Sequence, residues 1–399
     1  MLYDYFLARQ TGGQLIMRVE DTDQERLVPG ALEQLLKTFV TLDIDYDEGP
    51  MLLPDGSIGE KGSCGPYIQS QRLAIYRPYV DQLLTAGQAY PCFCSPETLR
   101  VMREEQIALK QAPRYDRRCL RLSSDDVQVR LQHGEPHVVR LKIPEGTCSF
   151  VDGIRGEIVF QNNEVDDQIL LKSDGFPTYH LAVVVDDHLM HITHVLRGEE
   201  WISSTPKQII LHQLLGWEMP VYAHVPLILN PDKTKLSKRK GDVSVDTFLE
   251  KGYLPEALIN FLALLGWNPT SDREIFSRQE LIELFDLSCV NRSGAVLNVE
   301  KLDWTNAQYI KQMDKITYLE HCRLVTATMS LEVVDDAMIE RVCCMVKDRV
   351  QRFQEIPGLV TFIFQDTLVY DPQLLHWKIQ STEEVRERLM ACRDWITEV

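Results

Sequence analysis

Leu2, Tyr5, Phe6 and Ala8 recur at helical spacing from the first residues, and Gly12-Gly13 closes the segment. The chain is therefore expected to begin inside a helix. Gln14 to Val19 is an apolar run with glycine before it and the acidic Asp21-Thr22-Asp23 after it, which predicts a short strand and a turn. Leu32, Leu35, Leu36, Phe39 and Val40 then return to helical spacing between Pro29 and Leu42. Helix, strand, helix suggests one half of a parallel α/β sheet whose opening strand is absent. The run of glycines and prolines from Gly49 to Gly65 predicts a flexible surface loop, and it lacks the Lys-Ser/Thr ending of a phosphate-binding loop. A helix resumes over Gln71 to Gly87.

Pro91 to Asp174 changes character, with a charged helical run over Pro96 to Lys110 and short alternating segments such as His137 to Ile143. It reads as an insertion with its own fold. Val183 to Asp187 predicts a buried strand ending in a carboxylate pair, and His191 to Leu196 a second strand ending at Arg197. Thr205 to Leu215 follows as a helix and Pro226 to Leu229 as a strand. After Pro231 comes a basic loop without apolar periodicity, and from Phe248 onward the pattern is almost wholly helical.

At 399 residues the chain is too long for one core, and two to four domains are expected. With 59 acidic against 42 basic residues it carries −17, which excludes attachment to nucleic acid or an anionic membrane by bulk charge. Any nucleic-acid partner needs local basic surfaces. Arg100, Arg103, Lys110, Arg114, Arg117, Arg118 and Arg121 in the inserted block offer one. Ten scattered cysteines form no dense disulfide framework and favour a reducing compartment. No stretch approaches the roughly 18 to 20 apolar residues of a membrane span. Met1 to Arg9 has no cationic start leading into an apolar core, so no signal peptide is expected.

The motifs narrow the chemistry. Glu20 follows a strand, where a carboxylate can receive an ammonium group. Arg197 also follows one, and its guanidinium suits bidentate capture of a carboxylate. Lys235-Leu236-Ser237-Lys238-Arg239 places cations on a loop. Arg18-Val19-Glu20-Asp21-Thr22-Asp23, Tyr46-Asp47-Glu48-Gly49-Pro50, Gly65-Pro66-Tyr67 with Gln69-Ser70-Gln71-Arg72, Leu171 to His180, Asp186-Asp187-His188-Leu189-Met190, Arg197-Gly198-Glu199-Glu200-Trp201 and the lysine-rich loop occur in one order. In that order the chain resembles the glutamyl-tRNA synthetases, class I enzymes, from Met1 through roughly Ile310. The glycine-rich loop and Pro91-Cys92-Phe93-Cys94 look more like mitochondrial members.

The resemblance implies a Rossmann-like catalytic domain lacking its first strand (1–75 and 176–231), split by an α+β insertion that binds the acceptor end (76–175). A stem-contact module with the lysine-rich loop (232–314) and a partial helical anticodon-binding region (315–399) would follow. It implies ATP-dependent ligation of glutamate to tRNA through a glutamyl adenylate. The partners would be glutamate, ATP with Mg2+ as substrate, and tRNA(Glu), with tRNA(Gln) as a second acceptor. Lys235 and Lys238 would neutralise charge on departing pyrophosphate. Glu20, Tyr179, His180, Leu181, Ala182, Val183 and Arg197 would bind glutamate, and Glu200, Lys235, Leu236, Ser237, Lys238 and Arg239 would bind ATP. His180 and His188 are not expected to act as acid or base, since carboxylate and phosphate chemistry needs little proton transfer.

Cys92, Cys94 and Cys119 match the spacing of zinc-binding members, but Arg121 stands where those have histidine, so zinc is not expected. The family's His-x-Gly-His segment, which cradles ATP phosphates, has no counterpart near Met1. The expectation is an N-terminally truncated, impaired enzyme of the mitochondrial matrix, its targeting segment absent. The alternatives are a non-catalytic tRNA-binding or interaction protein, and a cytoplasmic location.

Overall fold

The computed structural model describes residues 1–236, 244–327, 329, 336–365, 370–376 and 380–398. Two compact units divide the chain, Met1–Tyr309 and Ile310–Val399. The first therefore contains together the catalytic, inserted and stem-contact segments expected as separate domains.

It opens with α1 (Leu2–Thr11) and α2 (Ala31–Thr41), followed by β1 (Gly49–Leu52) and β2 (Ile58–Lys61). The last two pair antiparallel, so the expected loop is a hairpin; its glycines and prolines masked the apolar positions Met51, Leu52 and Ile58. Gly49 has φ +143°, and a Cβ there would lie 2.6 Å from the Met17 carbonyl oxygen, so a close backbone approach requires glycine. The Gln14–Val19 segment is extended but forms only isolated parallel bridges, Ile16 with Glu48 and Val19 with Ile68.

Next come α3 (Leu73–Thr85), β3 (Ala89–Cys92), α4 (Pro96–Ala108), α5 (Ser124–Gln132), β4 (Val138–Leu141), β5 (Thr147–Asp152), β6 (Gly156–Gln161) and β7 (Ile169–Leu171). Strands β3, β4 and β7 form one antiparallel sheet, and β5 with β6 a long hairpin. The expected insertion is thus a mixture of helices and antiparallel strands.

Val183 to Asp187 is not a strand. It lies within α6 (Tyr179–Leu189), a helix whose residues from Leu181 to Asp187 are all buried. A helix covered on every side shows no amphipathic period, and its three consecutive valines favoured strand when read locally. Then β8 (His194–Gly198), α7 (Thr205–Leu215) and β9 (Val221–Val225) form a strand–helix–strand unit, with β8 and β9 parallel and Arg197 opposite His224. The predicted Pro226–Leu229 strand is reduced to β10 (Ile228–Leu229); α8 (Val245–Glu250), α9 (Pro255–Gly266), α10 (Arg278–Leu284), β11 (Ala295–Val296) and α11 (Val299–Gln312) follow.

The main core of this unit gathers Tyr76, Val80 and Leu83 of α3, Leu181, Ala182, Val184 and Val185 of α6, and Ile209, Ile210 and Leu211 of α7. Buried Asp186 ties α6 down. It accepts from Arg72 Nε at 2.8 Å, Tyr76 Oη at 2.9 Å and Gln69 Nε2 at 3.0 Å. A second core packs Phe6, Leu15, Met17 and Leu36 with Trp267 and Phe285.

The second unit contains α12 (Lys315–Thr326), α13 (Asp336–Val346), α14 (Ile356–Val360) and α15 (Thr382–Glu398). Tyr318, Val342, Cys343, Phe353 and Ile356 are buried in it, and the Tyr318 hydroxyl donates to the Cys343 carbonyl at 2.8 Å. No described helix is long and apolar enough to cross a membrane.

Candidate active site

Helical geometry decides which α6 side chains can share a site. Tyr179, Val183 and Asp187 are spaced four apart, on one face, while Leu181 and Ala182 belong to the core. Leu181 and Ala182, both at 0 % exposure, can therefore serve a glutamate pocket only through packing, and Val183 keeps 3 %. Asp187 receives Arg18 Nη2 at 2.8 Å, and the same nitrogen reaches Glu20 Oε1 at 3.2 Å. Against the cost of burial, the charges of Asp187 and Glu20 raise the Arg18 pKa and keep it protonated. Burial raises the Glu20 carboxyl, and Arg18 draws it back; its side chain remains 32 % exposed, open to a ligand.

The Tyr179 ring lies 4.8 Å from that of Trp201, and burial together with nearby Glu20 pushes its phenol up to about 12, so it stays a donor. Beside it, burial and the charges of Lys207 and Arg197 push His180 down to about 4, so this histidine is neutral.

Arg197 is the penultimate residue of β8, inside the strand rather than just after it. Its guanidinium carbon sits 5.0 Å from the Tyr222 ring centre, its Nε donates to His224 Nε2 at 3.1 Å, and Nη2 donates to Thr205 Oγ1 at 2.8 Å. Among the described residues it meets no carboxylate. Tyr222 Oη, Asp187 Oδ2, Arg18 Nε and His180 Nδ1 are among the buried polar atoms without a hydrogen-bond partner in the described residues. Arg18, Asp187, Tyr222 and His224 were not singled out from sequence as site residues. The first two stand within the quoted motifs; the other two carry no local signal.

Glu200 and Lys235 meet directly, with Nζ 3.0 Å from Oε1. Burial alone would raise the Glu200 carboxyl, but its own backbone amide and Lys235 hold it below the usual range. A Cβ at Gly198 would fall 2.0 Å from Glu200 Oε2, so the Glu200 carboxylate can hold this position only beside a glycine. Lys235 is fixed by a tight turn in which Leu236 N donates to the Ile228 carbonyl at 2.9 Å, and the Leu236 side chain packs on the Tyr253–Leu258 cluster. Ser237, Lys238 and Arg239 lie outside the described residues.

In the inserted segment the basic surface is smaller than expected. Arg100 pairs with Glu97 and Glu104, Arg117 with Asp167, and Arg118 with Asp116. Arg103, Lys110 and Arg121 are exposed and form no ion pair among the described residues. The three cysteines, expected as inert thiols, converge: the sulfurs of Cys92, Cys94 and Cys119 all lie within 4.8 Å of one another. Arg121 supplies no ligand, but the Tyr115 hydroxyl lies 3.4 Å from Cys92 Sγ and 3.5 Å from Cys94 Sγ. Deprotonated, the three sulfurs would supply three of the four ligands that a tetrahedral soft-metal site needs.

Known proteins match over nearly the whole chain. Residues 1–304 match the family described as tRNA synthetases class I (E and Q), catalytic domain, and residues 310–399 an anticodon binding domain. A glutamate–tRNA ligase of Clostridioides difficile is 44% identical over 97% of this chain and 78% of its own length. One from Alkaliphilus metalliredigens is 50% identical over 78% of this chain and 63% of its own. A crystal structure of a glutamate tRNA ligase from Elizabethkingia meningosepticum, in complex with its amino acid, superposes with a TM-score of 0.86 at 36% identity, covering 95% of this chain and 79% of that one. These relatives are bacterial and lend no support to the expected mitochondrial likeness. With the catalytic profile on its first three hundred residues and the anticodon-binding profile on the remainder, the chain belongs to the class I glutamyl- and glutaminyl-tRNA synthetase family.

Proposed function

We infer that this chain ligates glutamate to tRNA at the expense of ATP, and that the cleft between Glu20, Tyr179 and Arg197 is where glutamate binds. One observation carries the reading: a half-buried guanidinium, held by neutral acceptors and flanked by aromatic rings, meets no carboxylate among the described residues. Such a cation is compensated by an anionic ligand. Glu20 supplies the opposite charge for the ammonium group, and Tyr179 a hydroxyl donor. An α-amino acid with a second carboxylate fits that arrangement.

The substrate's α-carboxylate oxygen bonds to the α-phosphorus of ATP, and the bond from that phosphorus to the bridging oxygen breaks, its electron pair leaving with pyrophosphate. Mg2+ enters with ATP as part of the substrate. Lys235 and Lys238 neutralise the departing charge, and Glu200 orients Lys235 and contacts the nucleoside. A hydroxyl of the terminal adenosine then attacks the activated carbonyl; AMP leaves, and the hydroxyl proton passes to phosphate or water. The anticodon-binding match supports a tRNA acceptor, which we read as tRNA(Glu), with tRNA(Gln) as a second acceptor. Cys92, Cys94 and Cys119, with the Tyr115 oxygen, would hold a zinc ion that braces the inserted segment and takes no part in these steps.

The test is transfer of labelled glutamate to tRNA(Glu) and tRNA(Gln) transcripts by the purified chain with ATP and Mg2+. Acid-precipitable, ATP-dependent label is expected with glutamate and not with glutamine. Equal labelling by both amino acids would overturn the assignment of Arg197.

A further inference from the structure

Arg197 is aimed by a chain of hydrogen bonds that begins in the inserted segment. Asp152, the last residue of β5, is buried, as is His224 on β9. Asp152 Oδ1 accepts from the backbone amides of Ile154 at 3.0 Å and Arg155 at 2.9 Å, and Oδ2 accepts from the His224 backbone amide at 3.2 Å and lies 2.6 Å from His224 Nδ1. His224 Nε2 lies 3.1 Å from Arg197 Nε. A guanidinium nitrogen can only donate, so His224 Nε2 presents its lone pair and the ring's single proton sits on Nδ1, donated to Asp152. Thr205 completes the set, accepting from Arg197 Nη2 at 2.8 Å and donating to the Trp201 carbonyl at 2.9 Å. The hairpin that carries Asp152 is docked against β9 by Gly153 N donating to the Tyr222 carbonyl at 2.8 Å and by Arg155 Nε donating to the His224 carbonyl at 3.2 Å.

We propose that Asp152 and His224 are positioning residues for amino-acid recognition: Asp152 fixes the tautomer of His224, and His224 points the Arg197 guanidinium at a substrate carboxylate. The inserted hairpin is thereby part of the glutamate site. The proposal rests on the reading of Arg197 as the glutamate ligand.

Asp152→Asn is nearly isosteric and separates the two roles. The amide oxygen can keep the bonds from Ile154 and Arg155, at the loss of the one from the His224 backbone amide, but its NH2 then faces His224 Nδ1 and drives the ring proton to Nε2, donor against the Arg197 donor. In calorimetric titration of the full chain with L-glutamate, the dissociation constant should rise about tenfold or more. Nitrogen NMR of His224 should show the proton moving from Nδ1 to Nε2, with little change in Tm. Adding His224→Gln to Asp152→Asn should restore most of the affinity, because an amide oxygen accepts from Arg197 whatever stands at position 152. A purely structural Asp152 would not be rescued in this way. Unchanged affinity in Asp152→Asn, with binding abolished in Arg197→Ala, overturns this inference alone. Unchanged affinity in Arg197→Ala, or no binding by the unaltered chain, overturns the reading beneath it. If Asp152→Asn fails to fold, His224→Gln should bind at least tenfold tighter than His224→Leu, and equal affinities would sink the proposal.

Discussion

At the residue scale, charge and contact distance separate the two substrate sites. Removing Arg197 leaves a substrate carboxylate desolvated and unpaired, which costs roughly 2 to 5 kcal/mol. Arg197→Ala should therefore raise the glutamate KM in pyrophosphate exchange by about thirtyfold or more with the ATP KM unchanged; a parallel loss of both would indicate unfolding. Gly198→Ala should act in the opposite sense. The new Cβ displaces only the mobile end of Glu200, so stability should hardly move, but the Glu200–Lys235 pair is broken. ATP affinity should fall more than glutamate affinity, and competition with a fluorescent ATP analogue would show it. Glu20, Arg197, Glu200 and Lys235 could be named because motif order assigns them, whereas Arg18 and Asp187, in the same motifs, were not singled out. His224 and Asp152 were not, since a histidine in a strand and an aspartate at a hairpin turn look ordinary until the fold brings them to Arg197.

At the scale of elements, legibility followed exposure. The helices α2, α3, α4 and α7 were readable from periodicity or from their bounding residues, whereas fully covered α6 was taken for a strand and the hairpin β1–β2 for a loop. The error in α6 matters for function, because a strand would alternate Leu181 and Val183 with Ala182, whereas the helix puts Leu181 and Ala182 in the core and aligns Tyr179, Val183 and Asp187. Truncating a buried leucine costs about 2 to 5 kcal/mol through lost transfer energy and the cavity left behind. Leu181→Ala should lower the denaturation free energy by that order while glutamate binding by the folded protein stays within about twofold of the original. A selective loss of glutamate affinity at unchanged stability would return Leu181 to the pocket.

At the scale of the whole molecule, the net charge of −17 leaves tRNA binding to local cations, and ion pairing within the insertion, with the bond of Arg114 to the Asn163 carbonyl, leaves Arg103, Lys110 and Arg121 of the seven expected cations to provide them there. Replacing all three by alanine should lower the slope of log affinity for tRNA against log salt by about two to three, one unit per lost phosphate contact. Acid stability depends on a different set of groups. His212 is fully buried in α7, and burial with nearby His188 pushes it down to about 4 against a smaller upward pull from the Glu218 backbone; His180 is pushed to about 4 by burial, Lys207 and Arg197. Above the ordinary histidine pKa of about 6.5, neither the folded nor the unfolded chain protonates these rings. Between 6.5 and 4 only the unfolded chain does, so it binds more protons and stability is lost as pH falls through that window. A full shift of this size corresponds to roughly 3 kcal/mol for the fully buried His212. Carboxylates held low, such as Asp152, weaken the fold only at the acid end of the window and below it. Urea titrations of the chain from pH 7 to pH 4.5 should therefore show a steady loss of stability, and His212→Leu, which cannot take up the proton, should lose distinctly less over the same range. Identical slopes for the two proteins would mean that His212 is protonated in the folded state and that its surroundings are wetter than the structure shows.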